Sequence, residues 1–293
     1  MSSSAPPPRL DEGFYRAKSW GSVPIQTARD LPSLKLRYLL ELLQSRSSPR
    51  AQLLEVGSGS GRILSSIHGR DPELQLTGID LSAEQTELAR RTHPSITFVC
   101  GNGEMLPFGD ATFDYVIFFD YLEHIERPAV SLAEMSRVLK PGGYLHLVCP
   151  AEKQSIFGLS SRLFGRHFKE TTAGHIQQFL RADLEALVRA AGLSVIDRRY
   201  SYHLLGSLMD YTLFTLMLHP RIYQMYWRGN PYYATSVAPR KRGVFQRLLE
   251  WGNAVAYFES SLLERIAFSA CAVHLTARKV AAAAATNSSA PSR

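Results

Sequence analysis

From Ala51 onward, short runs of aliphatic, β-branched and aromatic residues alternate with stretches whose apolar residues recur every three or four positions. That alternation is the pattern of strand–helix–strand units around a parallel sheet. It predicts strands over Gln52–Val56, Leu74–Ile79, Thr97–Cys100, Tyr115–Phe119, Tyr144–Cys149, Ser194–Tyr200 and Ser269–Thr276. Helices are expected over Arg62–His68, Ala83–Thr92, Ala129–Leu139 and Arg181–Ala191, with an amphipathic Leu34–Leu43 ahead of the sheet. Ser82, with Gln85 three residues on, is placed to start one helix, and Gly192 to stop another. The expected fold is α/β: seven mostly parallel strands, helices on both faces, and a helical insertion before the last strand.

With 293 residues, 45% hydrophobic and 20% charged, the chain can bury a full core, which excludes disordered and collagen-like classes. Cys100, Cys149 and Cys271 are widely spaced, so neither a disulfide framework nor a zinc cluster is indicated. Met1–Pro8 is rich in Ser and Pro and has no basic stretch leading into an apolar run, from which a cytoplasmic protein is expected. The expected organisation is an N-terminal segment 1–31 with a disordered first part, a core 32–203, an insertion 204–266, a last core strand within 267–279, and a disordered tail 280–293.

Charge sharpens the picture of the insertion. The net charge is +7, and Arg198–Val280 alone carries 11 Lys/Arg against 4 Asp/Glu. Leu204–Leu218 is almost wholly apolar, with Asp210 its only charge. At about 22 Å as a helix it falls short of the ~30 Å hydrocarbon layer, so it is either buried or interfacial. Tyr223, Tyr226, Trp227, Tyr232 and Tyr233 lead into Arg240-Lys241-Arg242. Aromatic residues beside cations suit either a cap over an apolar acceptor or an anionic membrane surface, so the protein is expected in the cytoplasm or peripheral at the inner face of the membrane. RNA ranks third, because no RNA-binding module is present.

The stretch that carries most chemistry is Glu55-Val56-Gly57-Ser58-Gly59-Ser60-Gly61, a strand running into a glycine loop that opens a helix. Its glycines allow a sharp turn and a close approach to a ligand. Arg62 stands where a dinucleotide-binding loop has its third glycine, so the spacing is GxGxG. Asp80 ends the second strand, where a carboxylate accepts hydrogen bonds from ribose hydroxyls or assists the next helix dipole. Beside the third strand, Gly101-Asn102-Gly103-Glu104-Met105-Leu106 offers an amide for an adenine edge and two apolar side chains for a ring face.

In order and spacing these segments, with Phe113-Asp114, Leu122-Glu123-His124 and Leu139-Lys140-Pro141-Gly142-Gly143, resemble the class I S-adenosylmethionine-dependent methyltransferases related to ubiquinone and menaquinone biosynthesis. The resemblance covers about residues 50–200. It implies a Rossmann-like fold, S-adenosyl-L-methionine as cofactor, and a donor site formed by Glu55, Gly57, Ser58, Gly59, Gly61, Asp80, Leu81, Asn102, Gly103, Glu104, Met105 and Asp120. The family more often has Asp at the position of Asn102, and an amide still accepts from the adenine amino group.

Methyl transfer from a sulfonium needs mainly an oriented nucleophile, and a base only when the acceptor has a proton to lose. His175 and His124 are the candidate catalytic residues, with a local structural role as the alternative for each. The ubiquinone-type O-methyltransferases carry a similar acid-x-x-Glu-His run, so Asp120, Glu123 and His124 are a minority candidate for a divalent metal, set against no metal at all. Phe14, Tyr15 and Trp20 are candidates for a lid. The function expected is methylation of a small, apolar or lipidic acceptor on O or C. A donor-binding, non-catalytic scaffold at a membrane stands as the alternative, and RNA methylation third. Acceptor identity and oligomeric state stay open.

Overall fold

A computed structural model describes residues 23–25, 29–46, 50–164, 169, 173–219, 221–222 and 244–280. The lid candidates Phe14, Tyr15 and Trp20, the aromatics from Tyr223 to Tyr233, Arg240–Arg242, and the expected terminal disorder up to residue 22 and from 281 lie outside these residues.

Seven strands form one sheet: β1 Gln52–Val56, β2 Gln75–Asp80, β3 Thr97–Cys100, β4 Phe113–Phe119, β5 Leu139–Pro150, β6 Leu193–Ser201 and β7 Ala272–Lys279. Their order is β3-β2-β1-β4-β5-β7-β6, with β7 antiparallel to both β5 and β6 and the other paired strands parallel. Helices among the described residues include α1 Leu31–Arg46, α2 Arg62–His68, α3 Ala83–Thr92, α4 Pro128–Val138, α5 Ile156–Phe164, α6 Arg181–Ala190, α7 Leu204–Leu216 and α8 Val244–Leu262. The strand order reverses between β1 and β4, which opens a crevice at the carboxyl ends of these strands.

Side-chain alternation sorts the core into two layers. Leu53, Tyr115 and Ile117 pack with Leu36, Leu39 and Leu64 on one face. Leu54, Val116 and Phe118 pack with Leu132, Met135 and Leu184 on the other. Each fully buried Leu, Ile or Phe contributes roughly 1.5–3 kcal/mol, which offsets the ordering of the strands.

Four elements depart from the expected boundaries by two residues or more. β4 and β5 start earlier, at Phe113 and Leu139, because Phe113 pairs with Leu139 across a bulge before the regular register begins at Tyr115–Tyr144. The final strand begins at Ala272 rather than Ser269, since Ser269 sits at φ 61 in the turn that delivers the chain to Cys271, whose N–H bonds Tyr202 O. α1 runs further than Leu34–Leu43, with Asp30 accepting from Ser33 N–H at its start.

Gly61 enters α2 at φ 83, and a Cβ there would stand 2.5 Å from the Phe98 ring. Gly61→Ala is expected to cost about 3 kcal/mol, from a strained left-handed residue and an overpacked ring, measurable as a lowered midpoint in denaturant unfolding. On β5 and β7, His146 bonds Thr276 Oγ1 at 3.0 Å and His274 bonds Ser201 Oγ at 2.8 Å, both fully buried. Burial holds His146 neutral, its pKa lowered to about 4, while the unfolded chain titrates near 6.5. Between these values the unfolded state binds more protons, so the contribution of His146 is whole above pH 6.5 and is lost as pH falls toward 4. His146→Gln should therefore be most destabilised relative to the parent above pH 6.5, and the gap should narrow by roughly 3 kcal/mol by pH 4.

Candidate active site

The donor side is built by backbone turning back on the sheet. β1 ends at Val56, and Gly57 and Ser58 donate N–H bonds to Ile79 O at 2.8 and 3.0 Å, which fastens the loop to the end of β2. Asp80 completes the fastening: Oδ2 accepts Gly59 N–H at 2.7 Å and Oδ1 accepts Ser82 N–H at 2.9 Å. Burial pushes the Asp80 carboxyl up from its usual range, while these two amides pull it back. Gly57 and Gly59 both have positive φ. A Cβ on Gly57 would meet the Tyr121 ring at 2.8 Å, whereas one on Gly59 would project into open space, so the loop leaves room for a ligand above Gly59.

Glu55 lies beneath the loop, fully buried, with one carboxylate oxygen unpartnered and a bond from the Leu64 N–H. Burial and the charge of Asp80 push its carboxyl well above the ordinary range. The third segment folds as a turn: Asn102 Oδ1 accepts Glu104 N–H at 2.8 Å, and Met105 N–H bonds Asn102 O. Glu104 pairs with Arg127, Nη2 to Oε2 at 2.5 Å. Gly103 is hemmed in by Val56 and the Tyr121 hydroxyl, and its carbonyl accepts the Ser131 hydroxyl. Leu81 and Met105 are large apolar side chains left exposed next to Asp80 and Asn102. The residues assembled here fit S-adenosylmethionine: a carboxylate at a strand end, a loop with space where a Cβ would stand, and two uncovered apolar side chains.

Asp120 follows β4 at φ 48, its Oδ2 2.5 Å from Lys35 Nζ. Among the described residues, the groups that lie within ligand distance of one another do not include Asp120, whose carboxylate is held by Lys35. Glu123 and His124, on the 3-10 turn Leu122–His124, come together instead with His175. His124 Nδ1 bonds Gly174 O at 3.0 Å, so the hydrogen is on Nδ1 and the lone pair on Nε2, 4.0 Å from Glu123 Oε1. Burial and the neighbouring His175 lower the His124 pKa to about 3, leaving it neutral. Burial and then Asp120 raise the Glu123 carboxyl well above its usual range, and Cys149 Sγ lies 3.6 Å from its Oε2.

His175 Nδ1 stands 3.0 Å from Glu152 Oε1, and its ring meets that of His124 edge to face at 5.0 Å. With Glu152 as acceptor, Nδ1 carries the hydrogen, and in the neutral ring the lone pair is then on Nε2. Glu152 Oε1 also receives Lys169 Nζ at 3.1 Å, and Lys169 in turn reaches Asp210 on α7 at 2.9 Å while lying over the Phe157 ring. Between two carboxylates the buried ammonium stays charged, Asp210 and Glu152 outweighing desolvation.

The sequence reading did not single out Lys35, Glu152 or Lys169. Lys35 carried a signal: it falls on the same helical stripe as Leu31, Leu34 and Tyr38, where an unpaired charge is not tolerated. Glu152 and Lys169 carried none, since their partners are distant in sequence.

A methyltransferase domain model matches residues 54–147. The demethylmenaquinone methyltransferase of Chlorobaculum tepidum is 34% identical over 108 residues, covering 37% of this chain and 43% of that protein. The ubiquinone/menaquinone biosynthesis C-methyltransferase UbiE of Desulfotalea psychrophila is 32% identical over 177 residues, covering 54% of this chain and 70% of that protein. In three demethylmenaquinone methyltransferases the matched part spans about two fifths of the relative's length, 40–43%. Among solved structures, geranyl diphosphate C-methyltransferase from Streptomyces coelicolor A3(2) superposes with a TM-score of 0.53 at 16% identity, over 85% of this chain and 78% of that one, a likeness of fold. The glycine loop, Asp80 and the seven-stranded order, together with the identity to the Desulfotalea protein, lead to one conclusion: the chain belongs to the S-adenosylmethionine-dependent methyltransferases related to those of ubiquinone and menaquinone biosynthesis.

Proposed function

We propose that the protein transfers the methyl group of S-adenosylmethionine to an oxygen or carbon of a small, apolar or lipidic acceptor, working in the cytoplasm at a membrane surface. The observation that carries this reading is the Asp80 carboxylate holding the glycine loop open beside two uncovered apolar side chains. Asp80 receives the ribose hydroxyls, Leu81 and Met105 cover the adenine, and Asn102 accepts from the adenine amino group. The loop from Gly57 to Gly61 borders the methionine end, above Glu55. S-adenosylmethionine, when bound, supplies a methyl group already activated on a positively charged sulfur.

What is left to the protein is orientation, exclusion of water and disposal of a proton. His175 Nε2, its tautomer fixed by Glu152, is the group that takes the proton from an acceptor hydroxyl or acidic carbon. His124 lines the same end and keeps it uncharged. An apolar acceptor is favoured by what covers this end: Phe157 is fully buried and packs edge to face against Tyr211 and Phe214 of the insertion helix α7. The names of the quinone-pathway relatives point the same way.

The test incubates the protein with methyl-labelled donor and an extract of its own cells and partitions the label between organic and aqueous phases. Label in the organic phase, lost in Asp80→Ala, is expected; label confined to the aqueous phase would remove the apolar acceptor, and donor binding without transfer would favour a scaffold. His175→Ala should lower turnover about 10²–10⁴-fold while donor affinity measured by calorimetry stays within a factor of three. An unchanged rate would take the proton-accepting role away from His175.

A further inference from the structure

We infer that the paired helices α7 and α8 form a docking face for an anionic lipid bilayer. The two run antiparallel, as successive contacts show: Tyr202 N–H bonds Ser260 Oγ, Gly206 lies against Ala256, and Met209 Sδ fills the space over Gly252. Glu259 fastens the start of α7, accepting the Leu205 and Gly206 N–H groups at 2.8 and 3.0 Å. The inner side of the pair packs on α1 through Ala256, Tyr257, Leu31, Leu34 and Tyr38.

The outer side is apolar and open. On α8, Leu248, Trp251, Phe258 and Leu262 are exposed, Trp251 by 70% and Leu262 by 82%. Their spacing places them on one stripe, with half-buried Val255 in its middle. On α7, Leu204, Leu205, Leu208 and Leu216 are exposed as well. At about 100° per residue, each stripe lies roughly 110° around its helix from the packed residues. Because the helices are antiparallel, these rotations carry both stripes to the same side of the pair. A soluble surface does not gather eight large aliphatic and aromatic side chains on one face without something to cover them.

Charge identifies the occupant. The sequence 217–243, which joins the two helices, carries Arg221, Arg228, Arg240, Lys241 and Arg242 and no Asp or Glu. A second copy brings the same positive charge in its own connecting sequence, so like charge opposes a pairing of copies here. An anionic bilayer offers both partners at once, acyl chains for the stripe and head groups for the cations. Among the described residues no helix is long and apolar enough to cross a membrane, so the contact is interfacial. α7 also carries Asp210, whose ion pair with Lys169 leads through Glu152 to His175, so the docked face is joined directly to the acceptor end. That link to catalysis rests on the apolar-acceptor reading; the surface itself does not.

The experiment is co-sedimentation of the full chain at low salt with vesicles of phosphatidylcholine alone and with 30% phosphatidylglycerol. Binding is expected to the anionic vesicles, with a blue shift of Trp251 emission in a W20F/W227F background. A W251S/F258S/L262S variant and an R240S/K241S/R242S variant should each lose at least tenfold in partitioning. Calorimetric binding of S-adenosylhomocysteine, unchanged in both, shows that they fold. Absent vesicle binding, or anionic binding that persists in the W251S/F258S/L262S variant, overturns the inference. So does a dimer that the same variant dissociates without any lipid binding, which would assign the face to a second copy. Organic-phase methyl label without vesicle binding sinks the docking face and leaves the acceptor reading standing; vesicle binding with label only in water does the reverse.

Discussion

The geometry at the carboxyl edge of the sheet depends on the Asp80 side chain. Its two oxygens each hold one backbone N–H, Gly59 on one side and Ser82 on the other, so a single carboxylate ties the glycine loop to the start of α3. Two amides that would otherwise point at solvent are satisfied, and the loop is kept at positive φ without a side chain to brace it. The cost is a carboxylate largely removed from water, against which the two amides work. Glu55 lies directly below, and burial together with the charge of Asp80 pushes its carboxyl well above the ordinary range.

The buried charges beyond β4 obey the same rule with more members. Asp120 is matched by Lys35 from α1, and Glu152 and Asp210 share Lys169. Burial pushes the Glu123 carboxyl well above its usual range and lowers the His124 imidazole to about 3. A buried ammonium between two carboxylates is more than packing: removing one partner leaves an uncompensated charge, so the three groups and the elements bearing them move together or not at all. The elements are the 3-10 turn Glu152–Gln154 after β5, the segment at Lys169 and the insertion helix α7. Ionic balance, not only apolar contact, is what seats the insertion on the core.

How much of this was legible follows from sequence distance. The glycine loop and its link to Asp80 were readable because they are local: Glu55 to Gly61 is one strand end and one turn, and Asp80 closes a single strand–helix–strand unit. Seven strands were likewise foreseeable, each being a short apolar run with its own period. The pairing of Lys35 with Asp120 joins residues 85 positions apart, and His124 meets the Gly174 carbonyl across 50, so no period or motif announces them. Asp120 shows the limit of motif transfer. The acid-x-x-Glu-His spacing is present, yet Asp120 takes Lys35 from another helix as its partner, and it is His175 that joins Glu123 and His124 within ligand distance. The shift of β7 to Ala272–Lys279 has the same origin, since its register is set by partners on both sides.

Inserting α7 and α8 between β6 and β7 is tolerated because β7 is antiparallel and lies between β5 and β6. A parallel strand there would require the chain to cross back over the sheet, whereas an antiparallel one needs only a reversal, and any excursion can be made at that end. The reversal occurs at Ser201 and Ala272, which pair in the last register of β6 and β7, next to Pro150 of β5. This is the same sheet edge on which Glu152, His175 and the donor loop lie. The topology thus confines a long insertion to the end of the sheet where β1 and β4 open the crevice, so the chain can vary in the insertion without disturbing the glycine-loop and Asp80 geometry set by β1 and β2.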